Sequence, residues 1–257
     1  EALIPRSSMR RIFSVLALCS LLVLSSADCP SAPCPARCPE AVEVQSDFVK
    51  NHFDIQRFWG VYYEIAYHDS TQPRRWPIKA SCQRSVKSQH PGDPKNYKDL
   101  FSLNVGPGKG VNAVCDLEFN LTHSPGVFMG HWSGHSIFNP NLTDIENTVV
   151  DVGVAANGTY NWTLEFQCKN AAASGIRFAA VNFYHRKPKI DQEEFQLMME
   201  RLRALGLGWV VDASPGLTMV DQQKCIDHQS YPPLDAKAAL CGQGLRDDRT
   251  EHEELFV

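Results

Sequence analysis

Phe53-Asp-Ile-Gln-Arg-Phe-Trp-Gly60-Val-Tyr-Tyr-Glu-Ile-Ala66 is the stretch on which the fold turns. Before it, residues 28 to 47 are rich in proline and cysteine and carry no hydrophobic period, so they read as an extended arm held by cross-links. Regular structure is expected from Phe53. From Gly60 to Tyr184 the chain reads as short strands separated by turn chemistry. Pro91-Gly92-Asp93-Pro94, Gly106-Pro107-Gly108, Ser124-Pro125-Gly126 and Asn157-Gly158 are the clearest turns. Glycine reaches positive φ without strain, and proline both presets φ and removes a ladder donor.

The strand candidates are Val61–His68, Cys82–Gln89, Leu100–Val105, Val111–Leu121, Val127–Phe138, Thr148–Ala155, Thr159–Cys168 and Phe178–His185. Evenly punctuated short strands predict an all-β fold. Eight of them close an up-and-down antiparallel barrel with room for one small ligand. One helix follows. Asp191 caps it, and Glu194 three residues on completes the pattern of a capping box. Phe195, Met198, Met199, Leu202 and Leu205 then form one apolar face, suited to packing on the outside of a barrel. Gly206 ends the helix, and Leu217–Val220 is a final strand.

The ends of the chain read differently. Arg10-Arg11 after Met9, the apolar run Ile12 to Leu24 and the small residues Ser25-Ser26-Ala27 make residues 1–27 upstream sequence plus a signal peptide. The domain plan is therefore 1–27 leader, 28–52 Cys/Pro-rich arm, 53–225 barrel with helix, and 226–257 polar, acidic tail. No other run is long and apolar enough for a membrane anchor. The chain has 257 residues, 43% hydrophobic, with net charge -4 and no Lys/Arg block, which argues against a nucleic-acid partner. Eight cysteines remain after Cys19 leaves with the leader, an even set that reads as a disulfide framework in an oxidising compartment. Sequons at Asn120, Asn141, Asn157 and Asn161 agree with secretion. The expected location is outside the cell or in a secretory lumen, with a plastid reached by that route as the alternative in an alga.

Several motifs carry a family resemblance. Phe53 to Ala66 resembles the opening of the lipocalin family, in which G-x-W begins the first strand, with Tyr62 in place of the tryptophan. Phe183-Tyr-His-Arg186-Lys-Pro188 resembles the third lipocalin motif, whose arginine lies across that ring and closes the barrel floor. The resemblance implies that Arg186 covers Tyr62 in a cation–π contact. The middle T-D-Y motif has no counterpart. Arg186 to Cys225, with R-x-P, the capped helix and Asp-Gln-x-x-Cys, is similar to apolipoprotein D. Tyr62 to Pro73 with Ser81-Cys82, and Gly175 to Val181, are similar to the lipocalin domain of violaxanthin de-epoxidases. The resemblance implies a Cys82–Cys225 disulfide, and one from Cys38, or else Cys34, to Cys168. It leaves Cys29, Cys34, Cys115 and Cys241 unassigned.

The period of two along a strand then selects a lining. A glycan on Asn161 points outward, which turns Trp162, Leu164 and Phe166 inward. Parity with Arg186 adds Ala180, Asn182 and Tyr184, and parity with Tyr62 adds Glu64 and Ala66. With Cys82 turned out toward Cys225, Gln83, Ser85 and Lys87 face in. Aromatic area on one wall and polar groups on the other suit an amphipathic lipophile such as a fatty acid, retinoid-like compound, carotenoid or pigment. The competing reading is a filled core in which Glu64 and Lys87 neutralise each other. De-epoxidase-like chemistry on a carotenoid is the enzymatic alternative, and no catalytic residue is assigned. His131 and His135 lack the Glu of H-E-x-x-H, so no metal is expected. No cofactor is implied, and nothing in the sequence specifies an oligomeric state.

Overall fold

Turn residues at both ends of each hairpin divide the chain into antiparallel strands, and a computed structural model shows how they close. It describes residues 35–69, 80–105, 111–131, 144–172, 175–212, 216–223 and 225. Eight strands run β1 Gly60–Asp69, β2 Ala80–Gln89, β3 Asn96–Val105, β4 Val111–Leu121, β5 Val127–His131, β6 Ile145–Val154, β7 Tyr160–Asn170 and β8 Ile176–His185. Each pairs with its sequence neighbour, and β1 pairs with both β8 and β2, so the sheet is a closed up-and-down barrel. A two-residue strand, β9 Thr218–Met219, adds to the outer part of β1. The leader, Cys29, Cys34, the Gly106 turn, residues 132–138 of the fifth strand candidate, Asn141 and the 226–257 tail lie outside the described residues.

The N-terminal arm is not extended. α1 Ala41–Val44 and α2 Asp47–His52 precede α3 Ile55–Phe58. Two local signals explain them. Glu40 and Glu43 form a reciprocal capping box, and the Ser46 side chain accepts from Val49 N. These turns lack enough apolar residues to show a period, yet each buries one side chain against the barrel, Val44 and Val49 respectively. Gln45 fixes the arm by donating to the Pro125 and Val149 carbonyls.

After the barrel comes α4 Gln192–Leu202. Its N-cap is Asp191, whose carboxylate accepts from Glu194 N at 2.7 Å. Glu194 does not complete the capping box; its carboxylate instead meets Asn161 and His185. Gly206 breaks the helix as expected, its φ of 79° being non-helical, and a separate short turn, α5 Gly208–Val211, follows. Met198, Met199, Leu202, Leu207, Val210 and Val211 bury against Trp162, Leu164, Phe166, Val181 and Phe183 on the outside of the barrel.

Disulfides Cys38–Cys168 and Cys82–Cys225 tie the arm and the segment after β9 to the sheet. Cys115 is also disulfide-bonded. Among the described residues no helix is long and apolar enough to cross a membrane.

Candidate functional site

The closed end of the barrel is built first. Gly60 has φ 116°, and an added Cβ would collide with the Arg186 guanidinium, so glycine here serves both the backbone turn and the close approach. Arg186 lies 3.7 Å from the Tyr62 ring centroid. It also donates to four carbonyls, those of Tyr160, Val61, Arg57 and Trp59. Above it sits an aromatic floor. Phe58, at the end of α3, stacks on Phe128 and meets Tyr62 and Tyr97, while Tyr97 stacks on Phe119.

A charged centre lies against this floor. Lys87 is 1% exposed. Its Nζ is 2.7 Å from Asp99 on β3 and 3.2 Å from Glu165 on β7. The Phe58 and Tyr184 rings flank the same ammonium at 5.1 and 4.9 Å. Ser85 donates to Asp99, and Asn147 and Thr163 donate to Glu165. Burial alone would depress the lysine, but the two carboxylates overcome it and hold Lys87 charged above its ordinary range.

Glu64 is a third interior carboxyl, also 1% exposed. Asn182 donates to its Oε1 at 2.5 Å. Burial dominates over that hydrogen bond and pushes its pKa up to about 8. Beside it the barrel wall is mended rather than continuous. β1 and β2 pair only from Gly60 to Tyr63, and Gln222 then donates through Nε2 to the carbonyls of both Glu64 and Gln83 at 2.8 Å. That gives the Asp-Gln-x-x-Cys motif a structural task.

Tyr62, Glu64, Ser85, Lys87, Asn182 and Tyr184 are therefore gathered at the inner side of the barrel, while Gln83 is buried in a bulge of β2. Ala66, Trp162, Leu164 and Phe166 are not on the inner side. A bulge at Ile65, with Glu64 opposite Tyr184 but Ala66 opposite Phe183, reverses parity and turns Ala66 outward. On β7 the apolar set packs beneath α4, with Phe166 6.3 Å from Trp209, and the alternate set of Thr163 and Glu165 faces the interior. The helix covers the outer face of β7, so burial there does not mean the barrel interior.

Asn161 is itself the extra residue of a bulge opposite Gly153 and Val154, and its Nδ2 donates to Glu194 at 2.9 Å. It does not present a free amide outward. Asn157, by contrast, sits exposed in its turn, with Oδ1 accepting from Thr159 N and Oγ1. Sequence reasoning missed Asp99, Asn147, Thr163 and Glu165. One signal was present: Asn161, Thr163, Glu165 and Gln167 alternate with the apolar residues of β7. Among the described residues no three His, Cys, Asp or Glu side chains are grouped to hold a metal ion.

A closed eight-stranded up-and-down antiparallel barrel, capped at one end and carrying a helix outside, is the lipocalin fold. Of the solved structures, apocrustacyanin C1 is similar at a TM-score of 0.50, with 10% identity over 74% of this chain and 89% of that one. At that identity the likeness concerns the fold alone. No family model matches the sequence, and no curated protein matches it.

Proposed function

We propose that this protein is a secreted, disulfide-bonded and glycosylated carrier that holds one small lipophilic molecule in its barrel. The observation that supports this reading best is the layering of the interior, an aromatic floor beneath a fixed polar centre. Apolar area supplies affinity, and a few oriented polar groups supply direction. Tyr62, Glu64, Gln83, Ser85, Lys87, Asn182 and Tyr184 are the contacts in this reading, with Asp99 and Glu165 holding Lys87 in place. Trp59, 5.8 Å from Tyr97, is the natural reporter, since Trp162 lies outside the barrel. Titrating purified protein with a panel of lipophiles while following its tryptophan emission is expected to give a saturable, one-site response. No response from any member would overturn the proposal.

A second reading, carotenoid de-epoxidation, has one observation in its favour. Glu64 is an interior carboxyl that stays protonated near neutral pH and is thereby suited to general-acid work. Chromatographic turnover of a carotenoid epoxide with an added reductant at acidic pH, lost in Glu64→Gln, is the result that would favour it.

A further inference from the structure

Lys87 is the only buried lysine or arginine among the described residues, while Glu64, Asp99 and Glu165 are all buried. Three carboxyl groups thus share one ammonium. That ammonium has no room for a fourth: Asp99 and Glu165 already lie at 2.7 and 3.2 Å, and aromatic rings flank it. A ligand carboxylate entering here would be a further negative group in a low-dielectric interior with its natural counter-ion taken. Desolvating it without a partner is strongly unfavourable.

Of the interior polar atoms left without a hydrogen-bond partner, the Tyr62 and Tyr97 hydroxyls can donate or accept, whereas one can only accept. Gln83 Oε1 is buried and accepts no hydrogen bond. Gln83 lies in a bulge of β2 beside Cys82, whose φ is 59°, and the single Gln222 amide that reaches the main-chain carbonyls of both Gln83 and Glu64 makes the two residues neighbours across β2 and β1. An empty acceptor beside a carboxyl asks for a donor.

We propose that the barrel selects lipophiles whose polar end is an uncharged hydroxyl donor, seated toward Gln83 and Glu64, and discriminates against the corresponding carboxylates. This deepens the carrier reading and rests on it. It narrows the candidate ligands by removing free fatty acids and retinoate-like acids.

Matched pairs test it: retinol against retinoate, and hexadecanol against hexadecanoate, each displacing N-phenyl-1-naphthylamine from the full, oxidised protein at pH 7. The expected result is at least tenfold tighter binding of each alcohol. Equal or tighter binding of the acids overturns the selectivity while leaving the carrier reading intact. Failure of the probe and of all four compounds to bind overturns both. Glu165→Gln, which keeps an amide oxygen toward Lys87 but removes one negative charge, is expected to raise carboxylate affinity at least threefold. The quantity read is the ratio of carboxylate to alcohol affinity, which should rise at least threefold. A folded Glu165→Gln protein with unchanged preference overturns the charge argument. If that variant does not fold, the comparison of matched pairs on the unaltered protein decides alone.

Discussion

The Arg186 guanidinium satisfies four main-chain carbonyls and covers Tyr62 in one planar arrangement. A lysine ammonium is a compact point charge and cannot reproduce that fork. Arg186→Lys should therefore destabilise the protein by about 2–3 kcal/mol, read as a shift in urea midpoint, with little change in slope. Glu64 gives a pH prediction. Its folded pKa of about 8 lies above the ordinary 4.5, so the unfolded chain loses its proton first as pH rises. This group's contribution to stability therefore falls as pH climbs from about 4.5 to about 8. Glu64→Gln should remove that slope. Its advantage over the unaltered protein should be near zero at pH 4.5 and on the order of a few kcal/mol at pH 8, followed by thermal melts across the range. Asn157 and Asn161 differ at this scale too. In material from a secretory host, glycopeptide mapping should find Asn157 occupied and Asn161 bare, because the Asn161 amide already binds Glu194.

At the scale of elements, the bulges set which residues meet. The sequence around Gly60, the turns and the α4 cap were legible because glycine, proline and capping residues act within a few positions of themselves. Facing was not. Ile65 in β1 and Val150 in β6 each insert one residue into a ladder, so every side chain beyond them changes sides. Trp162, Leu164 and Phe166 misled for a second reason: they are apolar because α4 covers them, and only the partner element reveals that. Gly153 belongs to the same layer, since an added Cβ would collide with the Trp162 indole. Gly153→Ala is expected to cost about 1–3 kcal/mol through displaced packing under α4, measured by chemical denaturation.

For the whole molecule, two bridges close long loops, with sequence separations of 130 and 143. In the chain-entropy model each contributes about 4–5 kcal/mol. Replacing Cys38 and Cys168 together by serine should lower the melting temperature and loosen the arm. Limited proteolysis should then cut near residues 41–52 before the barrel. The resemblance of Gly60, Arg186 and the Asp191-capped helix to the lipocalin pattern makes the barrel legible in the sequence. Composition, turn chemistry and local caps determined the strand sequence, the helix and the all-β class, because those signals are encoded within a few neighbouring residues. Only the tertiary structure decided the interior. Lys87, Asp99 and Glu165 come from β2, β3 and β7, and they share one cluster because closure of the sheet brings distant strands across from each other. No local pattern could state that pairing, and it is what makes the middle of this barrel polar rather than greasy.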